Sequence, residues 1–125
     1  MARILLVDDL PLVLEIIAKL LEKLNHQVQP VGEARDALAL ASGPGHFDLA
    51  LIDLLLRGAS GVELAKQIHA LRPSLPIVMM SAHVDLVSAA ALDSLRTLGI
   101  DHVVLKPVGL VELDEAVRAA LHKAR

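Results

Sequence analysis

Cysteine is absent from this 125-residue chain, which excludes disulfides, thiolate metal sites and a cysteine nucleophile. A reducing, cytoplasmic setting is the simplest expectation. One Phe and no Trp or Tyr remove aromatic stacking as a recognition device. Positive charge is not in excess. A net charge of −3 gives no electrostatic basis for nucleic-acid binding by this domain. No run approaches the roughly 18 apolar residues of a membrane span, so no membrane association is expected. At the N-terminus, Arg3 and Ile4–Val7 lead straight into Asp8-Asp9. That stretch is too short and too acidic for a signal peptide.

Apolar residues, by contrast, are plentiful. They make up 54% of the chain, enough for a core covering both faces of a sheet. The length suits one domain, residues 1–125. Short apolar runs fit buried parallel strands, and longer stretches show helical spacing. The runs 3–7, 27–31, 47–52, 77–80 and 101–105 read as strands, the second being more polar and suited to an edge. Between and after them the pattern predicts five helices. The first starts at Pro11, tolerated in a first turn, with Val13, Leu14, Ile17, Leu21 and Leu24 inward. The second carries Ala34, Ala37, Leu38 and Ala41, and the third spans 61–71. The fourth runs over 85–98, with Asp85 as N-cap and Gly99 just beyond its end. The fifth spans 110–122, acids first and bases last. Residues 54–60 read as a loop. Strand and helix alternation predicts an α/β doubly wound, flavodoxin-like fold with a five-stranded parallel sheet in order 2-1-3-4-5. The chain ends with the fifth helix, so any output domain is expected outside it.

Polar residues stand where four of these apolar runs stop. Asp8-Asp9 follow the first strand, Asp53 the third, Ser81 the fourth, and Lys106-Pro107 the fifth. In that strand order all of them reach the carboxyl rim of the sheet, where open α/β sheets bind ligands. Three crowded carboxylates are costly unless a cation intervenes. A hard divalent ion such as Mg²⁺ suits a few carboxylates, water and a phosphate oxygen. Asp53 is central and best placed to attack phosphorus. Lys106 offers a compact positive charge and Ser81 a hydroxyl donor. Taken singly, each residue has a plainer role as a helix cap, a turn residue or a solvated lysine, and only their joint placement points to chemistry. The six histidines show no metal-ligand spacing and read as surface residues, with His83 beside the pocket. Ala89, Ala90, Ala91, Leu92 and Leu95, with Leu86 and Val87, make the fourth helix apolar nearly all round. Either burial or a sticky face for a partner or second copy would explain that.

On Asp8-Asp9, Asp53, Gly61, Ser81-Ala82 and Lys106-Pro107, the chain resembles the receiver domains of two-component response regulators. The resemblance covers essentially the whole chain. It implies that Asp53 accepts a phosphoryl group from a histidine kinase or a histidine phosphotransfer protein. It further implies Asp9 as direct Mg²⁺ ligand, Asp8 as a partner acting through water, and the Leu55 backbone carbonyl completing the protein's share. Ser81 becomes the switch hydroxyl, Lys106 the phosphate-binding lysine, and the Lys106–Pro107 peptide is expected cis. Phosphorylation would remodel the face made by helix 4, strand 5 and helix 5, toward an output domain, a target protein or a homodimer. Such a domain catalyses only its own phosphorylation and dephosphorylation.

Two positions depart from the family pattern. Val103 stands where an aromatic residue usually sits three before the lysine. Leu56-Arg57 replace the usual Met-Pro after the acceptor. The missing aromatic makes a pseudo-receiver, an interaction module working without phosphate, the alternative reading. A haloacid-dehalogenase-like phosphatase does not fit, because Asp8 is followed by Asp9 and then Leu10-Pro11. A flavodoxin-like FMN protein lacks its Ser/Thr/Gly-rich first loop and its stacking aromatics. Leu55, two past the acceptor, is bulky enough to hinder hydrolytic water, which implies a long-lived phosphoryl group.

Overall fold

The computed structural model of the chain describes residues 1–82, 88–100 and 102–123. β1 (Arg3–Val7), β2 (Gln27–Val31), β3 (Leu49–Asp53), β6 (Ile77–Ser81) and β7 (Val103–Leu105) form a parallel sheet. Their spatial order is β2-β1-β3-β6-β7, the doubly wound order that the alternation predicts. β4 (Leu55–Leu56) and β5 (Ala59–Ser60) make a separate antiparallel hairpin. The helices are α1 (Pro11–Lys23), α2 (Ala34–Ser42), α3 (Gly61–Leu71), α4 (Ala89–Arg96) and α5 (Leu110–Lys123).

Alternation along β1 decides which helices lie on which face. Ile4 and Leu6 pack with Ile17 and Leu21 of α1 and with Leu113, Ala116 and Val117 of α5. Leu5 and Val7 point the other way, toward Ala37 and Ala41 of α2, Leu64 and Ile68 of α3, and Leu95 of α4. The middle strand β3 is buried along its whole length. β2 lies at an edge, where Pro30 is tolerated because no outer neighbour needs its missing N–H.

Several boundaries differ from the sequence expectation, each for a local reason. β3 begins at Leu49 instead of Phe47. The Asp48 carboxylate accepts the Arg3 N–H (2.8 Å), while the guanidiniums of Arg3 and Arg72 lie over the Phe47 ring, 5.0 and 5.6 Å from its centroid. Residues 54–60 are not simply a loop. Leu55-Leu56 and Ala59-Ser60 pair across an Arg57-Gly58 turn, with Gly58 at φ +66. The described part of α4 starts at Ala89, and its cap is Ser88, whose hydroxyl accepts the Ala91 N–H. Asp85, Leu86 and Val87 lie outside the described residues, as do His83 and Asp101. The described part of α4 is only partly buried. Leu95 is buried and Ala91 and Leu92 pack partly on the core, but Ala89 and Ala90 are exposed beside Asp93 and Arg96. Gly99 does close this helix. It takes φ +83, its N–H bonds the Arg96 carbonyl, and the Ile100 N–H reaches back to Leu95.

Candidate functional site

The backbone brings the polar residues to one rim before any side chain is considered. Val7 pairs with Ile52 and Asp53 with Met80, so Asp8, Asp53 and Ser81 end three adjacent strands. Ser81 pairs with Leu105, and the Lys106 N–H donates to the Ser81 carbonyl at 2.9 Å, which sets Lys106 at the end of the fourth. The Lys106–Pro107 peptide is cis, as the resemblance implies.

Burial at this rim is deep for such polar groups. Asp8 is 0%, Asp53 6% and Ser81 1% exposed. Buried charges persist only when paired and hydrogen-bonded. Lys106 supplies the pairing, with its Nζ donating to Asp8 Oδ2 at 2.5 Å and to Asp53 Oδ2 at 3.0 Å. Asp8 Oδ1 additionally accepts the Leu10 N–H at 3.0 Å. Asp8 thereby anchors the loop entering α1 instead of capping that helix, whose N-cap residue is Leu10.

Asp53 is the less well compensated carboxylate. Among the described residues its second oxygen meets only the Leu55 N–H, at 3.4 Å. Burial pushes its carboxyl above the usual range, against the opposing pull of the Lys106 hydrogen bond and charge, and the Asp8 charge adds to the rise. For Lys106, burial acts to lower the ammonium. The hydrogen bonds and charges of Asp8 and Asp53 together outweigh it and hold the group above the ordinary lysine range. The lysine thus stays protonated while the central carboxylate is destabilised as an anion, a condition that a further cation relieves.

Asp8, Asp9 and Asp53 each offer a carboxylate oxygen, and these atoms lie within 4.8 Å of one another. Among the described residues this is the one cluster of three or more groups suited to holding a metal ion. Its donors are all hard oxygens with no imidazole or thiolate, which fits Mg²⁺ and not a zinc site. Leu55, whose carbonyl the resemblance adds to this set, follows Asp53 by two residues and opens the β4–β5 hairpin.

Gly61 explains how that hairpin can sit so close. A Cβ there would lie 1.8 Å from the Asp53 carbonyl oxygen and 2.8 Å from the carbonyl carbons of Asp53 and Leu54. The Gly61 N–H instead donates to the Leu54 carbonyl at 3.0 Å. Only a residue without a side chain allows α3 to start against the Asp53 backbone.

Sequence reasoning overlooked one neighbour of the cluster. The Arg57 N–H donates to Asp9 Oδ2 at 2.7 Å, and its guanidinium Nε lies 3.8 Å from the same oxygen. The pattern of two apolar residues, Arg-Gly and two small residues was the available signal, since X-Gly between short extended pairs marks a hairpin turn. Of the histidines, His46, His102 and His122 are exposed, His69 is half-buried, and half-buried His26 accepts the Ala2 N–H on Nδ1 at 3.0 Å.

Comparison with known proteins follows the same line. A family model described as the response regulator receiver domain matches residues 4–118. The transcriptional regulatory protein TcrA of Mycobacterium tuberculosis is 32% identical over 119 residues, covering 94% of this chain and 45% of that protein. The sensory transduction protein RegX3 of Mycolicibacterium smegmatis is 34% identical over 124 residues, covering 98% of this chain and 52% of that protein. The chain therefore spans about half the length of these relatives. A receiver domain protein (CheY-like) from Methanospirillum hungatei JF-1 superposes with a TM-score of 0.89 at 29% identity, covering 99% of this chain and 96% of that one.

Proposed function

The chain belongs to the response regulator receiver domain family, and on that premise we infer that it is a phosphoacceptor switch whose acceptor is Asp53. The observation that carries this reading is the Lys106 ammonium held between the Asp8 and Asp53 carboxylates at the sheet's carboxyl rim. A lysine in that position already lies where phosphoryl oxygens must come once Asp53 is phosphorylated.

The donor is a phosphohistidine of a kinase or a phosphotransfer protein. An Asp53 carboxylate oxygen attacks phosphorus, the P–N bond breaks, and the imidazole leaves with its electron pair. The product is an acyl phosphate on Asp53. Asp8, Asp9, Asp53 and the Leu55 carbonyl would hold Mg²⁺, and when bound that ion neutralises charge on the transferring oxygens. Lys106 turns from its carboxylate partners to the new phosphoryl group, and the Ser81 hydroxyl donates to another oxygen. The added group carries about −1.5 to −2 charges, enough to bias a two-state rearrangement. The face of α4, β7 and α5, with Leu105 and Val111 exposed on it, carries that change to an output domain, a target or a second copy. A cytoplasmic location and self-limited catalysis belong to the same reading.

Val103 in place of the usual aromatic favours a second reading, a pseudo-receiver that works without phosphate. Intact-mass measurement after incubation with Mg²⁺ and a small acyl phosphate separates the two. A gain of one phosphoryl group that is lost in Asp53→Asn supports the switch. No gain, together with no response to beryllofluoride, supports the pseudo-receiver.

A further inference from the structure

Arg57 occupies a position where the family usually has proline, and that difference has a chemical consequence. Proline has no N–H to donate. Here the Arg57 N–H reaches Asp9 Oδ2 at 2.7 Å and pins the Arg57-Gly58 turn over that carboxylate. The side chain is 83% exposed, yet the turn keeps its guanidinium Nε 3.8 Å from the same oxygen. Nearby, Arg35 is matched by Glu33 at 3.4 Å, whereas the carboxylate facing Arg57 is one of the three clustered at the rim. Counted as formal charges, three carboxylates against Lys106 leave the rim doubly negative, and Arg57 reduces that to a single negative charge.

We propose that Arg57 is a built-in electrostatic competitor for the divalent ion, lowering the affinity of the Asp8–Asp9–Asp53 cluster and making ion binding sensitive to salt. The inference rests on reading that cluster as the ion site. A cation arriving at Asp9 meets a guanidinium of like charge and weakens its pairing with the carboxylate. The ion-free state is favoured to the same extent. Because the guanidinium is solvated, the effect is that of an exposed ion pair and is screened by salt.

Calorimetric titration of Mg²⁺ into the ion-free protein tests this, with wild type, Arg57→Ala, Arg57→Lys and Asp9→Asn compared at low and raised salt. Mg²⁺-dependent shifts in melting temperature on the same samples give an independent readout. Arg57→Ala is expected to bind Mg²⁺ about two- to fivefold more tightly. Arg57→Lys keeps the charge and stays near wild type, and the gap between Ala and wild type narrows as salt rises. Equal or weaker binding by Arg57→Ala, or equal tightening by Ala and Lys, overturns the proposal. If wild type binds and Asp9→Asn does not, that failure concerns Arg57 alone. Absence of Mg²⁺ binding in the wild type removes the ion-site reading as well.

Discussion

Among the described residues Lys106 is the one cation compensating two buried carboxylates, so its removal should be costly in a way that an ion can repair. In Lys106→Met the aliphatic stem is kept and only the ammonium is lost. Asp8, fully buried, and Asp53, nearly so, are then left facing each other without the donor now at 2.5 and 3.0 Å. Deleting one partner of a buried ion pair typically costs about 3–5 kcal/mol. Two features reduce that figure here. Asp8 retains its bond from the Leu10 N–H, and the pair sits at a rim where Asp9 is partly open to solvent. Asp53 gains little by comparison, because a 3.4 Å contact from Leu55 lies beyond the usual hydrogen-bond range. A loss of about 2–3 kcal/mol is expected at neutral pH in divalent-free buffer. With a urea slope of roughly 1–3 kcal/mol per molar, the midpoint should fall by about 1 M. Circular dichroism is the assay, since no tryptophan reports on folding. Added Mg²⁺ should then stabilise the variant more than the wild type, because the ion replaces the missing charge. A ligand at a hundred times its dissociation constant contributes about 2.7 kcal/mol. A loss of unfolding free energy below about 0.5 kcal/mol (roughly the size of an ordinary surface substitution) would refute the reasoning, as would equal Mg²⁺ stabilisation of both proteins.

Asp53, with its carboxyl raised above 3.8 by burial, binds a proton more readily in the folded than in the unfolded chain. Its share of stability therefore falls as pH rises through the raised value and recovers on acidification. The difference in unfolding free energy between wild type and Asp53→Asn, followed from about pH 4 to pH 7, should carry that slope; a flat difference refutes it. Asp48 works in the opposite sense, because the Arg3 N–H lowers its carboxyl, and it cancels in that subtraction. Gly61→Ala puts a methyl group against the Asp53 carbonyl and should cost about 2–4 kcal/mol in urea unfolding while slowing phosphorylation; wild-type values for both would show that α3 shifts freely. Leu55, 42% exposed two residues past Asp53, should slow hydrolysis of the proposed acyl phosphate. Leu55→Asn is expected to shorten the phosphoryl half-life, and an unchanged decay by intact mass refutes that role.

The site was legible in the sequence because its residues obey a rule of position. Asp8, Asp53, Ser81 and Lys106 each end a strand, and strand ends in this topology share one rim. No contact between them had to be known. The elements followed from equally local signals, such as the apolar runs of β1 and β6 and the Gly99 that closes α4. What escaped was decided by the folded chain itself. Phe47 continues the apolar run of β3, yet the strand starts at Leu49, because the Arg3 N–H is taken by the Asp48 side chain. The hairpin of β4 and β5 is two residues to a side, too short for any periodicity to reveal.

Arg57 belongs to that second class and shows why it matters. As a residue type in a turn, arginine carries no message. Its effect arises because Gly61 lets α3 begin against the Asp53 backbone, with the hairpin between them over the acidic rim. The glycine is read easily as part of a family pattern, but its physical role is to set the distance at which residues 54–60 stand over the carboxylates. Once that distance is fixed, whichever residue occupies the turn becomes part of the electrostatics of the pocket. The proposed acceptor chemistry and ion affinity are therefore separable in this fold. Asp53 and Lys106 stand at the ends of strands and can stay constant, while the turn at 57–58 varies the field they work in.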